Sequence, residues 1–143
     1  MAEEWVVKLI EAAKEARKQA FTPFSGFAVG AALMTAEGRI YQGCNIECSG
    51  LTASNCAERT AFFKAISEGE REFQAIAIVG GASDKEVQDL CYPCGVCRQV
   101  MAQFCSLDTF RIIVAVDQKQ WKECTLKELL PNAYQKHQLI TGG

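Results

Sequence analysis

Two short stretches that are apolar almost throughout, Phe73 to Val79 and Phe110 to Val116, constrain the fold of this chain more than any other feature. Each has the length and density of a buried strand. Between and around them the pattern changes period. Trp5, Val6, Leu9, Ala13, Ala16 and Ala20 recur at three- and four-residue spacing and predict an amphipathic helix over 3–20. The break at Phe21-Thr22-Pro23-Phe24-Ser25-Gly26 precedes a predicted strand over 27–35. Gly38 supplies a hairpin turn into a second strand over 39–46. A loop over 48–55, a helix over 56–67 stopped by Gly69, a helix over 98–105, a weaker strand over 121–125 and a short helix over 126–130 complete the series. The order α-β-β-α-β-α-β-β-α alternates in its middle, which argues for a three-layer α/β domain around a mixed sheet.

Length and charge narrow the function. At roughly 100 to 200 residues per domain, the 143 residues are expected to form one domain spanning 1–143. Hydrophobic residues at 49% and charged residues at 22% exclude a disordered or charge-driven chain. A net charge of -2, with scattered lysines and arginines, supplies no phosphate-neutralising stripe, so nucleic acid is not an expected partner. The acidic start Met1-Ala2-Glu3-Glu4-Trp5 differs from a signal peptide, and no apolar run reaches the ~18 residues of a membrane span. The expectation is a cytoplasmic protein without a membrane partner.

Eight cysteines in such a chain point to metal binding or catalysis rather than disulfides. Pro93-Cys94-Gly95-Val96-Cys97 places two thiols on one face of a helix's first turn, where free amides and the helix dipole favour thiolates. Cys56 also opens a predicted helix and is the natural third ligand. Three thiolates plus a water would form a zinc site with one open position. Glu58 stands two residues beyond Cys56.

Cys56-Ala57-Glu58 followed by Pro93-Cys94-Gly95-Val96-Cys97 resembles the zinc deaminase signature. With Phe24-Ser25-Gly26-Phe27-Ala28-Val29-Gly30-Ala31-Ala32, Gly43-Cys44-Asn45-Ile46-Glu47, Cys97-Arg98-Gln99-Val100 and Leu129-Leu130-Pro131, nearly the whole chain is similar to the small, homo-oligomeric cytidine deaminase family. The resemblance implies a three-layer α/β/α fold with a central mixed five-stranded sheet, one catalytic domain, a Zn2+ cofactor and a homotetramer. It implies hydrolysis of cytidine or deoxycytidine to the uridine product and ammonia, in pyrimidine salvage. Cys56, Cys94 and Cys97 would hold the metal, and Glu58 would move protons between water, ring N3 and the departing amino group. Arg59 would draw charge from the sulfurs. Asn45 and Glu47 would hold ribose hydroxyls, Phe24 would pack on the base, and the Ala57 backbone would read the base's polar edge.

Other readings of the same residues stay open at this level. Glu58 could be the third residue of a capping box begun by Asn55. Cys94 and Cys97 could form a redox pair, while Cys91 reads as a bystander unless it closes a four-thiolate structural site. Cys44, Cys105 and Cys124 read as apolar fillers and His137 as a surface residue. Phe24 could be ordinary core, and Asn45 and Glu47 turn residues. The substrate could be another aminopyrimidine nucleoside, an N4-modified cytidine or a blasticidin-type antibiotic. Cys48, Leu51, Tyr92 and Tyr134 depart from the family's usual residues near the pocket, so selectivity is expected to shift while the chemistry persists.

Overall fold

In the computed structural model, which describes residues 3–135, the chain runs α1 (Glu4–Arg17), β1 (Phe27–Thr35), β2 (Ile40–Cys44), α2 (Ala57–Ser67), β3 (Phe73–Ala82), α3 (Gly95–Phe104), β4 (Arg111–Ala115), β5 (Trp121–Thr125) and α4 (Leu126–Leu129). A short 3-10 turn, Leu51–Ala53, lies in the loop before α2. The five strands form one sheet in the order β2-β1-β3-β4-β5. Only β3 and β4 pair in parallel; the other neighbours are antiparallel. The sheet is mixed, as expected.

Both faces of the three central strands are covered, which is why they read as continuous apolar runs rather than alternating ones. Leu33, Ile76, Ile78, Ile112 and Val114 pack with Phe62 of α2 and Met101 of α3. Ala32, Met34, Ala77, Val79 and Ile113 point the other way, onto Val6, Leu9, Ile10 and Ala13 of α1. The edge strand β5 exposes Lys122 and Glu123, charges that discourage further strand pairing.

Two strand glycines set how closely the helices approach. A Cβ on Gly30 would lie 2.1 Å from the Ala13 carbonyl oxygen of α1, and one on Gly43 would lie 2.4 Å from the Ala57 carbonyl oxygen of α2. Neither position tolerates a side chain. After the close approach at Gly43, α2 runs away from its own start, and β3 returns the chain before α3 begins. The β3–α3–β4 crossover then puts the start of α3 beyond the carboxyl end of β3, the usual place for a site in such sheets. Arg17, at the end of α1, donates to the carbonyls of Ala28, Gly81, Ala82 and Lys85 and ties that same end together.

Several boundaries differ from expectation for local reasons. The first helix ends at Arg17 instead of Ala20, because Lys18 to Ala20 close into a turn whose amides reach Glu15, Ala16 and Arg17. The second strand stops at Cys44, since Asn45 turns its amide to Val29 and Ile46 bridges Phe21 and Asn55. The third helix starts at Gly95, three residues earlier than its apolar pattern, because Cys94 caps it. His137 lies outside the described residues.

Candidate active site

Cys56 is the N-cap of α2 and Cys94 the N-cap of α3, both with extended backbone and neither using its side chain to cap. The sulfurs are therefore left free at two helix ends whose partial positive charge favours thiolate. Cys97, one turn into α3, is fully buried. The sulfurs of Cys56 and Cys94 lie 3.7 Å apart, those of Cys94 and Cys97 3.5 Å, and all three fall within 4.8 Å of one another. Sulfurs bound to one tetrahedral zinc at ~2.3 Å stand about 3.8 Å apart, so the cluster fits zinc.

The cluster's electrostatics are asymmetric. A hydrogen bond from Cys97, with a further one from Arg59, draws the Cys56 thiol down to about 5 against the effect of burial. Cys97 is pushed up by the same bond and by burial. A Cys56 thiol lowered in this way lessens the proton release that metal uptake demands. Cys91 is not part of the group among the described residues. It packs against Gly80, where a Cβ would come within 2.8 Å of its sulfur, and burial pushes its thiol up to about 11. The four-thiolate reading therefore lacks its fourth member.

Glu58 is the second residue of α2, 4% exposed. The capping-box reading fails: the N-cap is Cys56 rather than Asn55, and the Asn55 side chain donates to Thr60 Oγ1 at 3.1 Å. Burial raises the Glu58 carboxyl to about 7, with the Cys56 thiolate adding to the rise. A carboxyl in that range both takes and gives protons near neutrality. Arg59 Nη2 donates to Cys56 Sγ at 3.3 Å, as its expected role of withdrawing charge requires.

Of the remaining expected residues, Phe24, Asn45 and Glu47 lie outside the helices and Ala57 opens α2. Phe24 is 66% exposed, which removes the ordinary-core reading. Asn45 Oδ1 accepts from the Val29 amide at 2.9 Å and its Nδ2 donates to the Phe27 carbonyl at 2.8 Å. Glu47 accepts from the Phe24 and Ser25 amides and the Ser25 hydroxyl. Glu47 thus fastens the turn carrying Phe24, and Asn45 fastens the start of β1, so the turn reading accounts for these bonds. Ala57 is fully buried and its carbonyl faces Gly43, leaving its amide as the group able to read a ligand. Sequence reasoning missed Ser25 and Arg98. Arg98 donates to the Pro93 carbonyl at 2.7 Å and to the Leu129 carbonyl at 2.7 Å, fastening the segment before Cys94 to α4. Only the position of Arg98 directly after Cys97 hinted at it.

The family model for the cytidine and deoxycytidylate deaminase zinc-binding region matches residues 3–114. The chain belongs to this deaminase family. A cytidine deaminase from Sporosarcina psychrophila is 46% identical over 134 residues, 94% of this chain and 94% of that protein. The crystal structure of a cytidine deaminase from Burkholderia pseudomallei superposes with a TM-score of 0.80 at 42% identity, covering 94% of this chain and 100% of that one. A blasticidin-S deaminase from Bacillus cereus is 31% identical over 112 residues, 76% of this chain and 78% of that protein. Membership makes the chain an enzyme of a zinc-dependent hydrolase family, and a deaminase needs no Cys94–Cys97 redox pair. Cys105 is a buried filler of the deaminase core, with Cys44 and Cys124 partly buried.

Proposed function

We propose that this chain hydrolyses cytidine and deoxycytidine to uridine and deoxyuridine with release of ammonia, as one zinc-dependent catalytic domain spanning 1–143 that serves pyrimidine salvage. The observation that carries the reading is the meeting of three cysteine sulfurs at two helix starts with the buried carboxyl of Glu58 on the first turn of α2. Zinc held by Cys56, Cys94 and Cys97 would supply Lewis acidity, lowering the pKa of a water from 15.7 towards ~7.

Glu58 does the proton work. It accepts a proton from the attacking water and passes it to ring N3 as the new C–O bond forms at C4, then takes the proton of the new C4 hydroxyl and delivers it to the amino group as the C–N bond breaks and the C4 carbonyl forms. Its position near neutrality suits both directions of transfer. Water and cytidine thereby become uridine and ammonia. The Ala57 amide, unpaired within α2 because it is the first residue of the helix, is placed to hold the base's polar edge. Phe24 covers the base, and Asn45 and Glu47 take the sugar hydroxyls, with donors and acceptors suited to them.

Exposed Phe21, Phe27, Ile46, Leu51 and Val96 offer apolar surface that a homotetramer would cover, and light scattering would give the subunit number; the compartment proposed is the cytoplasm. No helix among the described residues is long and apolar enough to cross a membrane. A substrate panel tests the proposal: loss of the cytosine absorbance and release of ammonia from cytidine and deoxycytidine are expected. The blasticidin-S deaminase relative motivates a second arm with blasticidin S and N4-methylcytidine. Turnover there without turnover of cytidine would replace the cytidine assignment.

A further inference from the structure

Glu47 is held by three donors from a single turn. Its Oε1 accepts from the amides of Phe24 at 2.9 Å and Ser25 at 3.1 Å, and its Oε2 accepts from the Ser25 hydroxyl at 2.5 Å. Two backbone amides that can only donate, joined by the Ser25 hydroxyl, favour the acceptor-only, ionised form, and the Ser25 hydrogen bond holds Glu47 below the usual carboxylate range. Ser25 must therefore donate to Glu47, while its oxygen accepts the Phe27 amide at 3.0 Å. The turn is shaped by Gly26 at φ +66°, where a side chain is disfavoured, and by the Ser83 amide donating to the Gly26 carbonyl at 2.7 Å.

The acceptor count is then restrictive. A carboxylate offers about four acceptor sites, of which this turn takes three and leaves one on Oε2. Asn45 is fixed in the same manner by Val29 and Phe27, so its amide cannot flip without losing both bonds. We infer that Ser25 is a positioning residue for sugar recognition: its hydroxyl fixes the rotamer of Glu47 and leaves one acceptor site on Oε2 for one sugar hydroxyl. The inference rests on the proposed reading that Glu47 binds the sugar. Removing the hydroxyl frees the outer oxygen to turn about the anchored one. A contact to the sugar that is equally strong in bound substrate and transition state shows its loss in KM rather than kcat, which is the signature expected of Ser25.

Steady-state kinetics of the wild-type enzyme and of Ser25→Ala, Ser25→Cys, Ser25→Thr, Glu47→Gln and the Ser25→Ala/Glu47→Gln double variant test this, with free cytosine as a competing inhibitor. Ser25→Ala and Ser25→Cys are expected to raise KM for cytidine by about tenfold with kcat within about twofold. Ser25→Thr, which keeps a hydroxyl, restores KM to within about twofold, and inhibition by cytosine is the same throughout. In the Glu47→Gln background, Ser25→Ala adds less than about twofold, because the two residues act as one unit. Ser25→Cys keeps the test intact if Ser25→Ala does not fold. Unchanged KM in Ser25→Ala or Ser25→Cys, equal weakening of cytidine and cytosine, or no rescue by threonine overturns the inference. Wild-type protein that leaves cytidine unchanged overturns the functional reading and this inference together; turnover with an unmoved Ser25→Ala overturns this inference alone.

Discussion

The Arg59 guanidinium donates to the sulfur of Cys56 at 3.3 Å, while its Nε lies buried with no hydrogen-bond partner among the described residues. A cation kept there at the cost of an unsatisfied N–H serves the sulfur rather than the packing. Arg59→Gln should therefore surrender zinc to a coloured chelator about 10- to 100-fold faster than the wild type. Equal release rates would show that Arg59 does not stabilise the thiolates.

Glu58 carries a pH signature as well as a catalytic one. Its carboxyl rises from 4.5 to about 7 on folding, chiefly through burial. The folded chain holds this proton more tightly than the unfolded one, so the stabilisation is whole below pH 4.5 and is lost as pH rises through about 7. In metal-stripped protein, wild type should lose roughly 3 kcal/mol of stability relative to Glu58→Gln as pH rises through that window, read by urea titration. The same variant should keep zinc and lose turnover by roughly two to four powers of ten.

Cys94→Ala should lose metal and activity together, because it removes one of three sulfurs within 4.8 Å of one another. Cys91→Ala, at a buried thiol outside that group, should keep a full equivalent of zinc by elemental analysis. Equal metal loss from both variants would restore the four-thiolate site.

Gly43→Ala should cost more than Gly38→Ala. The first drives a Cβ to 2.4 Å from the Ala57 carbonyl oxygen and 2.5 Å from the Ala61 amide nitrogen, contacts that only a shift of α2 relieves. The second meets open space and pays only for its φ of +92°, about 1 to 2 kcal/mol. Overpacking at Gly43 should exceed this, and it should also lower activity by moving Glu58. Thermal melts with kinetics on the folded fraction compare the two.

The sheet and its layers were legible because the central strands announce two-sided burial through continuous apolar runs, and the β1–β2 hairpin announces itself through Gly38. The three-cysteine cluster was legible because Cys56, Cys94 and Cys97 sit at the N-caps and in the first turn of two helices, positions written into local sequence. What the sequence hid depends on side chains reaching across the fold. Glu58 looked like a capping residue because Asn55 precedes it at the right spacing, yet Asn55 turns to Thr60 and the helix begins one residue later. A real capping box, Thr125 with Glu128, went unread in the short α4. Nothing local marks Arg17 as the residue that gathers four carbonyls, or Ser25 as the partner of a glutamate 22 residues away.

Because Gly43 presents bare backbone to α2, the helix that carries Cys56 and Glu58 is seated on the sheet, and the Ile46–Asn55 bridge ties its start to the segment that carries Asn45 and Glu47. Scaffold and proposed lining thus meet through backbone at that bridge and leave the lining's side chains unconstrained by it. Residues of the lining can drift, one replacement at a time, while the reactive corner stays put. Under the proposed function, replacements there would exchange one aminopyrimidine for another while the chemistry is kept.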